Sequence, residues 1–216
     1  MVLYFSNIEF SEDIKIFSIQ NSSVTLVKNL IHINMSIRRP FNFKKWIDEN
    51  RHLLKPPVGN KVVYENTEFI VMVVGGPNSR KDYHYNESEE FFYQLEGNIT
   101  VKIQEDGQSV EVPINEGDIF LLPPKVPHNP MRGANTIGLV MERKRRENEM
   151  DGLLWFCEKC NHKLYENYFT LTNIMSQFQE TFKYFYENYE LRTCKKCGHK
   201  MEPPAPVVNT SNTESH

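Results

Sequence analysis

The segment DYHYNESEEFFYQLEG, residues 82–97, places a histidine and a glutamate a short loop apart and then runs into an aromatic-rich strand closed by a glycine. A second segment, GDIFLLPPKVPH at residues 117–128, enters a strand through a Gly-Asp turn, ends it with prolines and adds a histidine just past its end. Such runs of aromatic and β-branched residues between turn residues are typical of short strands. If both strands belong to one antiparallel barrel, the side chains of His84, Glu90 and His128 converge on a single point inside it.

This candidate site combines two histidines with one carboxylate. Three such ligands on one face of a metal ion leave its other positions open, which is the arrangement of non-haem Fe(II) oxygenases. A histidine or glutamate taken alone is more often a satisfied core or surface residue, but that alternative has to account for all three residues together. Glu89 competes for the carboxylate position. Because strand residues alternate between faces, only one of Glu89 and Glu90 can point inward.

The composition fits one globular domain with a small second module. The chain has 216 residues, of which 39% are hydrophobic, and its 14 phenylalanines and 10 tyrosines are enough for a substantial core. The net charge of -3 leaves no electrostatic footprint for nucleic acid, so no nucleic-acid partner is expected. The basic run RKRR at residues 143–146 is followed at once by Glu147 and Glu149, and we interpret it as a solvated connection.

The sequence also predicts the cellular compartment of the protein. No apolar run approaches the length that spans a bilayer, so no membrane partner is expected. Glu9, Glu12 and Asp13 interrupt the N-terminal stretch, which argues against a signal peptide. The four cysteines form two C-x-x-C pairs, which in a reducing compartment indicate metal binding and not disulfides. We therefore expect a cytoplasmic protein.

Turn and strand signals predict an all-β-dominated fold with a few short helices. A helix is expected over residues 43–52, with Asn42 as its N-cap and the prolines at 56 and 57 as its stop. Short strands are expected at residues 61–65, 68–74, 91–95, 98–104, 109–112, 119–122 and 136–142. Seven or eight such strands separated by close turns favour a sandwich or jelly-roll barrel.

The chain divides into four parts by composition. Residues 1–34 contain no Pro or Gly and are expected to form an extension inessential to chemistry; the alternatives are one or two edge strands, or a true start at Met35. Residues 35–150 are expected to form the catalytic barrel, and residues 151–201 a module with four cysteines and a helix. Residues 202–216, dominated by Pro, Ser, Thr and Asn, are expected to be a disordered tail.

The second candidate metal site consists of Cys157, Cys160, Cys194 and Cys197. Four thiolates make a tetrahedral site that suits Zn²⁺ or a rubredoxin-like iron, and a closed shell of this kind has a structural role. His162 and His199 follow the cysteine pairs but are left out of this ligand set. Between the pairs, a strand is expected at residues 164–170, followed by a helix with an aromatic stripe expected to pack on an apolar surface: Phe178, Phe182, Phe185, Tyr186 and Tyr189.

These motifs resemble those of known families. Residues 76–97 look like the first cupin motif and residues 117–128 like the second, with Asp82 where many cupins have another histidine. More narrowly, the chain is similar over about residues 41–201 to the 3-hydroxyanthranilate 3,4-dioxygenase family. The motifs that carry this similarity are VGGPN at 74–78 with Arg80, DYH at 82–84, EEFFYQ at 89–94, FLLPP at 120–124 and VMER at 140–143.

The resemblance implies an activity. Enzymes of this family open the ring of 3-hydroxyanthranilate with O₂ at Fe(II) and give 2-amino-3-carboxymuconate semialdehyde. This product closes to quinolinate on the kynurenine route from tryptophan to NAD. The matching iron ligands are His84, Glu90 and His128. The resemblance further suggests a homodimer formed through barrel edges.

The resemblance also implies roles around the iron. Arg80 and Arg132 match the pair that holds the substrate carboxylate, a task suited to the planar fork of a guanidinium. Glu142 matches the acceptor of the phenolic proton, and Asn60 matches a loop position near substrate and O₂. An ion-pair network at the barrel rim is the structural alternative for Arg80, Arg132 and Glu142.

Two residues near the candidate site depart from the family pattern. Asn129 stands where the family often has serine and Met131 where it often has glutamine, so either residue could tune substrate fit.

The main competing function is a cupin that binds a metal or small ligand without catalysis, and the next is a cupin dioxygenase for another substrate. Two arginines and a base around an open metal favour catalysis over simple binding. The acidic balance speaks against a zinc-ribbon nucleic-acid binder.

Overall fold

The computed structural model describes residues 37–56, 59–172 and 174–205. The extension predicted for residues 1–34, and residues 206–216 of the predicted tail, lie outside these ranges. The chain divides into two units, Met1–Pro40 and Phe41–His216. All helices and strands named below belong to the second unit. None of the helices within the described ranges is long and apolar enough to cross a membrane.

Three helices are present in the described residues: α1 at Phe43–Asn50, α2 at Ile174–Glu187 and α3 at Tyr189–Arg192. As predicted, Asn42 caps α1, and its Oδ1 accepts a hydrogen bond from the amide of Lys45 at 2.9 Å. A 3₁₀ turn, Arg51–Leu53, continues α1 to one residue past the predicted end at residue 52. The helix buries Ile47 in a small core cluster with Leu54, Val73 and Ile137.

The described residues form eleven strands. In chain order they are β1 Asn60–Val62, β2 Phe69–Gly75, β3 Tyr83–Tyr85, β4 Glu90–Glu96, β5 Ile99–Glu105, β6 Gln108–Ile114, β7 Ile119–Leu122, β8 His128–Arg132, β9 Ile137–Arg143, β10 Asp151–Phe156 and β11 Lys163–Phe169. Each strand run predicted from the sequence appears within a few residues of its expected bounds.

The strands make two antiparallel sheets with many non-consecutive neighbours. The five-stranded sheet has the order β1-β2-β9-β4-β7, and the six-stranded sheet has the order β11-β10-β3-β8-β5-β6. The main core lies between them and contains Phe92, Val101, Ile114, Leu122 and Val140. Burial of this apolar surface holds the two sheets face to face. The predicted β-dominated jelly-roll barrel is confirmed.

Strands β3, β8 and β10 are absent from the sequence prediction. His84 was expected just before a strand and His128 just after one, but each lies in a short strand of its own. β3 has three residues, and β8 contains Pro130 and follows Pro127, so neither produces a normal strand signal. β10 reads DGLLWF and is buried along its length, so no polar alternation marks it.

Strand β10 is the first strand of the C-terminal segment, residues 151–201. It joins this segment to the barrel, because it pairs with β3 on one side and with β11 on the other. Helix α2 packs on β10 and β11, where the rings of Trp155 and Phe185 stack with centroids 4.3 Å apart. This confirms the packing role expected for the aromatic stripe, except for Tyr189, which falls in α3 and is exposed. The division at residue 150 stays a prediction, and strand pairing runs across it.

Candidate active site

Two histidines face each other on neighbouring strands of the six-stranded sheet. His84 in β3 and His128 in β8 are directly paired in the register, and their ring centroids lie 5.3 Å apart. Both side chains are buried. Directly opposed residues on adjacent strands point to the same face, so the pairing delivers both imidazoles to the barrel interior.

Two glutamates form the matching pair on the five-stranded sheet. Glu90 opens β4 and lies directly across from Glu142 in β9. Both are buried, whereas Glu89 is exposed, which confirms the predicted alternation. Like charges placed directly opposite each other are unfavourable unless something compensates them. The neighbouring cations and an amide, described below, provide that compensation.

The three predicted metal ligands converge. His84, Glu90 and His128 each offer a ligand atom, and these atoms all lie within 4.8 Å of one another. His128 Nε2 is 3.0 Å from Glu90 Oε2, and its other ring nitrogen is 3.0 Å from the carbonyl oxygen of Val126, which orients the ring. Two imidazoles and a carboxylate are a donor set that fits a divalent transition metal.

The electrostatics of the cluster favour an ionised carboxylate. Burial alone would raise the pKa of Glu90, but the positive charge and hydrogen bond of His128 lower it to about 2. Burial likewise opposes the charged form of His128, yet Glu90 raises the pKa of this imidazole. Each of the two side chains thus favours the charged form of the other, and a bound metal cation can take the place of the histidine proton.

Arg145 bridges two buried carboxylates beside the cluster. Its Nη1 donates to Glu142 Oε2 at 2.8 Å, and its Nε and Nη2 donate to the two oxygens of Asp151 at 2.7 Å each. The Arg145 side chain is only 8% exposed. The interpretation of residues 143–146 as a solvated connection is therefore wrong for Arg145, because two buried acids draw its guanidinium inward.

Both carboxylates of this bridge are also in contact with side chains at the predicted metal ligands. Asp151 Oδ1 lies 2.8 Å from His84 Nε2. At the other end Asn86 donates from Nδ2 to Glu142 Oε2 at 2.9 Å and points the same group toward Glu90 at 3.4 Å. Sequence reasoning singled out neither Asp151, Arg145 nor Asn86, since their roles arise from contacts between distant segments.

Glu142 is a buried carboxylate with a raised pKa. Burial raises the pKa of Glu142, and the charge of Glu90 raises it further, while Arg145 acts in the opposite direction. The Oε2 atom of Glu142 is held by Asn86 and Arg145. The remaining oxygen is thus the one available for proton exchange with a ligand.

Arg132 is a buried cation without a carboxylate partner in the described residues. Its side chain lies at the end of β8, and its Nη1 donates to Gln94 Oε1 at 3.3 Å. A side chain on Gly138 would collide with the guanidinium, because a Cβ there would lie 2.8 Å from Nη1. Burial lowers the pKa of Arg132 to about 10. A buried charge without a paired carboxylate is costly, and an anion bound next to the guanidinium would offset that cost.

Arg80 is held next to the cluster by Asp82. Nε of Arg80 donates to Asp82 Oδ1 at 3.1 Å, and its Nη2 donates to Oδ2. Asp82, which replaces a histidine of many cupins, therefore pairs with an arginine and not with the metal-ligand cluster. Asn129 donates to the backbone carbonyls of Arg80 and Asp82 at 3.2 and 2.7 Å, which ties this segment to β8.

The remaining predicted residues lie farther out. Asn60 is exposed at the start of β1, and within the described residues no hydrogen bond joins it to the cluster. Met131 is 41% exposed. Its neighbours on the same strand, His128 and Arg132, are buried, so Met131 points away from the cluster.

The four cysteines form a second cluster. Their sulfur atoms lie within 4.8 Å of one another, with 3.6 Å between Cys157 and Cys197 and the same distance between Cys160 and Cys194. All four are free thiols. This set of sulfur donors fits a tetrahedral metal ion.

Two turns of the same design carry the cysteine pairs. The amide of Cys157 donates to the carbonyl of His162, and the amide of Cys194 donates to that of His199, both at 2.8 Å. In the second turn Gly198 adopts φ 73°, a conformation that glycine accepts without strain. The two histidines thus close the turns through their carbonyls, and their side chains lie outside the ligand cluster, in line with their omission from the predicted set.

A buried cluster of two histidines and a glutamate inside a jelly-roll barrel defines a metal-binding cupin. The chain belongs to the 3-hydroxyanthranilic acid dioxygenase family, whose model matches residues 35–186. The motif resemblance is therefore confirmed, and the protein is a ring-opening dioxygenase, an oxidoreductase.

Two relatives and one solved structure illustrate the similarity. The 3-hydroxyanthranilate 3,4-dioxygenase of Xanthomonas euvesicatoria pv. vesicatoria is 56% identical over 167 residues, covering 77% of this chain and 93% of that protein. The protein of the same name from Bacillus cereus is 51% identical over 162 residues, covering 74% and 90%. A cupin-2 domain containing protein from Shewanella frigidimarina has a TM-score of 0.38 at 16% identity, covering 49% of this chain and 94% of that one.

Proposed function

We propose that the protein oxidises 3-hydroxyanthranilate with O₂ at a ferrous ion held by His84, Glu90 and His128. Both oxygen atoms enter the product, 2-amino-3-carboxymuconate semialdehyde, which closes to quinolinate on the kynurenine route to NAD. The observation that carries this proposal is the convergence of the three ligand atoms within 4.8 Å. The strand of His128 also carries the buried Arg132, which feels the charge of Glu90 but has no paired carboxylate in the described residues.

The donor set supports Fe(II) as the resident metal. Two imidazoles and one carboxylate are the ligands that non-haem iron oxygenases use, and they leave adjacent positions open. The bound ferrous ion supplies the site at which substrate and O₂ meet and electrons pass between them. The protein's own part is to hold three ligands in buried strands, where side-chain positions are set by sheet register.

The two arginines would orient the substrate through its carboxylate. Arg132 offers a buried guanidinium with which no described carboxylate forms an ion pair, so the carboxylate of an aromatic acid could take that position. Arg80 offers the donors that Asp82 leaves unused. An arrangement for holding an anion beside the metal cluster favours an enzyme for an aromatic acid over a cupin that binds metal alone.

Glu142 would accept the proton of the substrate hydroxyl. It is buried, lies directly across from Glu90 and keeps one oxygen free of Asn86 and Arg145. Its raised pKa makes the carboxylate a stronger base than an exposed glutamate. The loop position Asn60 remains a proposed contact to substrate and O₂.

The cysteine cluster would hold a second metal, iron or zinc, with a structural role. Its four sulfurs form a closed shell, which leaves no position for a substrate. Burial would raise the pKa of the Cys194 thiol, but the amides of Cys197 and Lys196 lower it to about 7, which favours the thiolate form of this one cysteine. We regard residues 151–201 as the module that this metal stabilises, next to a catalytic barrel at residues 35–150.

Surface and thiol chemistry support two further parts of the proposal, the assembly and the location of the protein. A homodimer through barrel edges is supported by β7, an edge strand that exposes Ile119 and Leu121 at 67% and 53%. A cytoplasmic location is supported by the four free thiols, which persist in a reducing compartment. The acidic balance argues against nucleic acid as a partner.

The proposal is tested by mixing protein loaded anaerobically with Fe(II) with 3-hydroxyanthranilate in air-saturated buffer. Growth of the semialdehyde absorbance with equimolar consumption of O₂ is expected. The matched control is the His128→Ala variant taken through the same loading. Wild-type protein that holds iron at full stoichiometry but consumes neither substrate nor O₂ would rule this reaction out.

A further inference from the structure

Helix α2 of the C-terminal segment presents two aromatic rings to Arg80. The Cζ atom of Arg80 lies 5.6 Å from the ring centroid of Phe178 and 5.7 Å from that of Phe182. The two rings meet at 71° with centroids 6.0 Å apart, so they form a corner around the guanidinium. Distances below about 6 Å from a cation to a ring centroid are those of a cation–π contact.

Arg80 keeps donors free for a ligand in this corner. A guanidinium has five N–H groups in a fixed plane. Asp82 takes one from Nε and one from Nη2, which leaves both hydrogens of Nη1 and one of Nη2. These remaining groups form a second fork on the outer edge of the guanidinium, and this fork has the geometry for one carboxylate.

The corner also lies beside the proposed metal ligands. The ring of Phe178 is 5.5 Å from the ring of His84, and Phe178 is only 8% exposed. Phe182 is half-buried and rests edge-on against Trp155, with ring centroids 6.0 Å apart. The rings are therefore fixed by the core of the C-terminal segment and can in turn restrict a long and otherwise flexible arginine side chain.

We propose that Phe178 and Phe182 are positioning residues that act through Arg80 and set the affinity for the carboxylate of the substrate. This inference rests on the proposed function, because it assigns Arg80 to the substrate acid group. Asp82 fixes one edge of the guanidinium in its plane, and the two rings fix its orientation out of that plane. A fork held in this way loses less conformational entropy when a carboxylate binds.

The test compares two ligands of the anaerobic ferrous enzyme. One is 3-hydroxyanthranilate and the other is 2-aminophenol, which keeps the hydroxyl and amino groups but lacks the carboxylate. The variants are Phe182→Leu and Phe178→Leu, with Phe182→Tyr as the conservative change that keeps a π face. Tyr184→Leu is the matched control, since Tyr184 lies on the same helix, is 57% exposed and is not one of the rings around Arg80.

We expect Phe182→Leu to weaken 3-hydroxyanthranilate binding about tenfold. Binding of 2-aminophenol should change by less than about twofold. Phe182→Tyr should restore most of the affinity, and Tyr184→Leu should behave like the wild type. In an Arg80→Ala background, Phe182→Leu should cause little further loss, since its effect passes through the arginine. If Phe178→Leu fails to fold, the half-buried Phe182 carries the comparison.

Equal losses for both ligands, or undiminished losses in the Arg80→Ala background, would show that the rings act through general packing and would overturn the inference. Unchanged affinity for 3-hydroxyanthranilate in Phe182→Leu would do the same. Failure of the proposed function looks different, because wild-type ferrous protein would then bind or oxidise neither compound.

Discussion

Asp151 Oδ1 lies 2.8 Å from Nε2 of His84, although 67 residues separate the two along the chain. The contact exists because β10 pairs with β3, where Leu153 lies opposite His84. Asp151 is fully buried, and both of its oxygens accept from Arg145. A carboxylate bonded to an imidazole fixes the orientation of the ring, as it does around metal-bound histidines in general.

Replacing Asp151 should therefore weaken iron binding without removing a ligand. We expect Asp151→Asn to lower the affinity for Fe(II) about tenfold to hundredfold, because the charged partner of His84 is lost. Fe(II) titration against a competing chelator measures the change. Asp118→Asn, at an exposed turn, is the matched control. Unaltered iron affinity in the Asp151 variant would show that the contact has no influence on His84.

Arg132→Met should separate substrate binding from stability. The variant removes a buried guanidinium that no described carboxylate pairs with, so KM for 3-hydroxyanthranilate should rise about a hundredfold. Iron content should stay at the wild-type level. Thermal stability should hold or increase, because a buried charge is replaced by an apolar side chain of similar length. A large drop in Tm with unchanged KM would identify Arg132 as a structural residue.

The pH dependence of kcat/KM should reflect the ionisation of Glu142. Its pKa is raised by burial and by the charge of Glu90, so the base form is present at high pH and is lost as pH falls through that raised value. The acid limb of kcat/KM should accordingly lie above the ordinary range of a glutamate. Glu142→Gln should reduce kcat about a hundredfold to ten-thousandfold and abolish this limb. An unchanged limb in the variant would assign it to another group.

Arg145 and Arg146 provide a matched pair within one basic run. Arg145→Met leaves Glu142 and Asp151 buried without their shared cation, and we expect a loss of about 3–5 kcal/mol in the free energy of unfolding. Arg146 is exposed, so Arg146→Met should change it by about 0.5 kcal/mol or less. Urea unfolding of both variants measures the difference. Similar values for the two would contradict the burial of Arg145.

Loss of the second metal should affect stability more than chemistry. We expect Cys157→Ser to lower Tm and the yield of folded protein, because a cluster of four sulfurs that organises two turns loses one ligand. The folded fraction should retain specific activity at the catalytic iron. Complete inactivity in well-folded Cys157→Ser protein would require a direct catalytic role for the cysteine site.

The sequence predicts the parts of the site that depend on local patterns. Alternation along β4 predicts that only one of Glu89 and Glu90 points inward, and the spacing of the C-x-x-C pairs predicts the cysteine cluster. The pairing of His84 with His128 depends on register between strands too short or too proline-rich to recognise. Asp151 and Arg145 could not be predicted, because their roles depend on how β10 and the end of β9 approach β3. Such contacts between distant segments leave no periodic signal in the sequence.

The pairing of β3 with β10 limits how far the chain can be shortened. A fragment ending at residue 150 would lose Asp151 and expose the hydrogen-bonding edge of β3 beside His84. It would also lose both rings around Arg80. A fragment that keeps these contacts to His84 and Arg80 must therefore extend beyond Phe182 in helix α2. Because the second cysteine pair lies at residues 194 and 197, a fragment that also keeps the cysteine cluster must extend past Cys197.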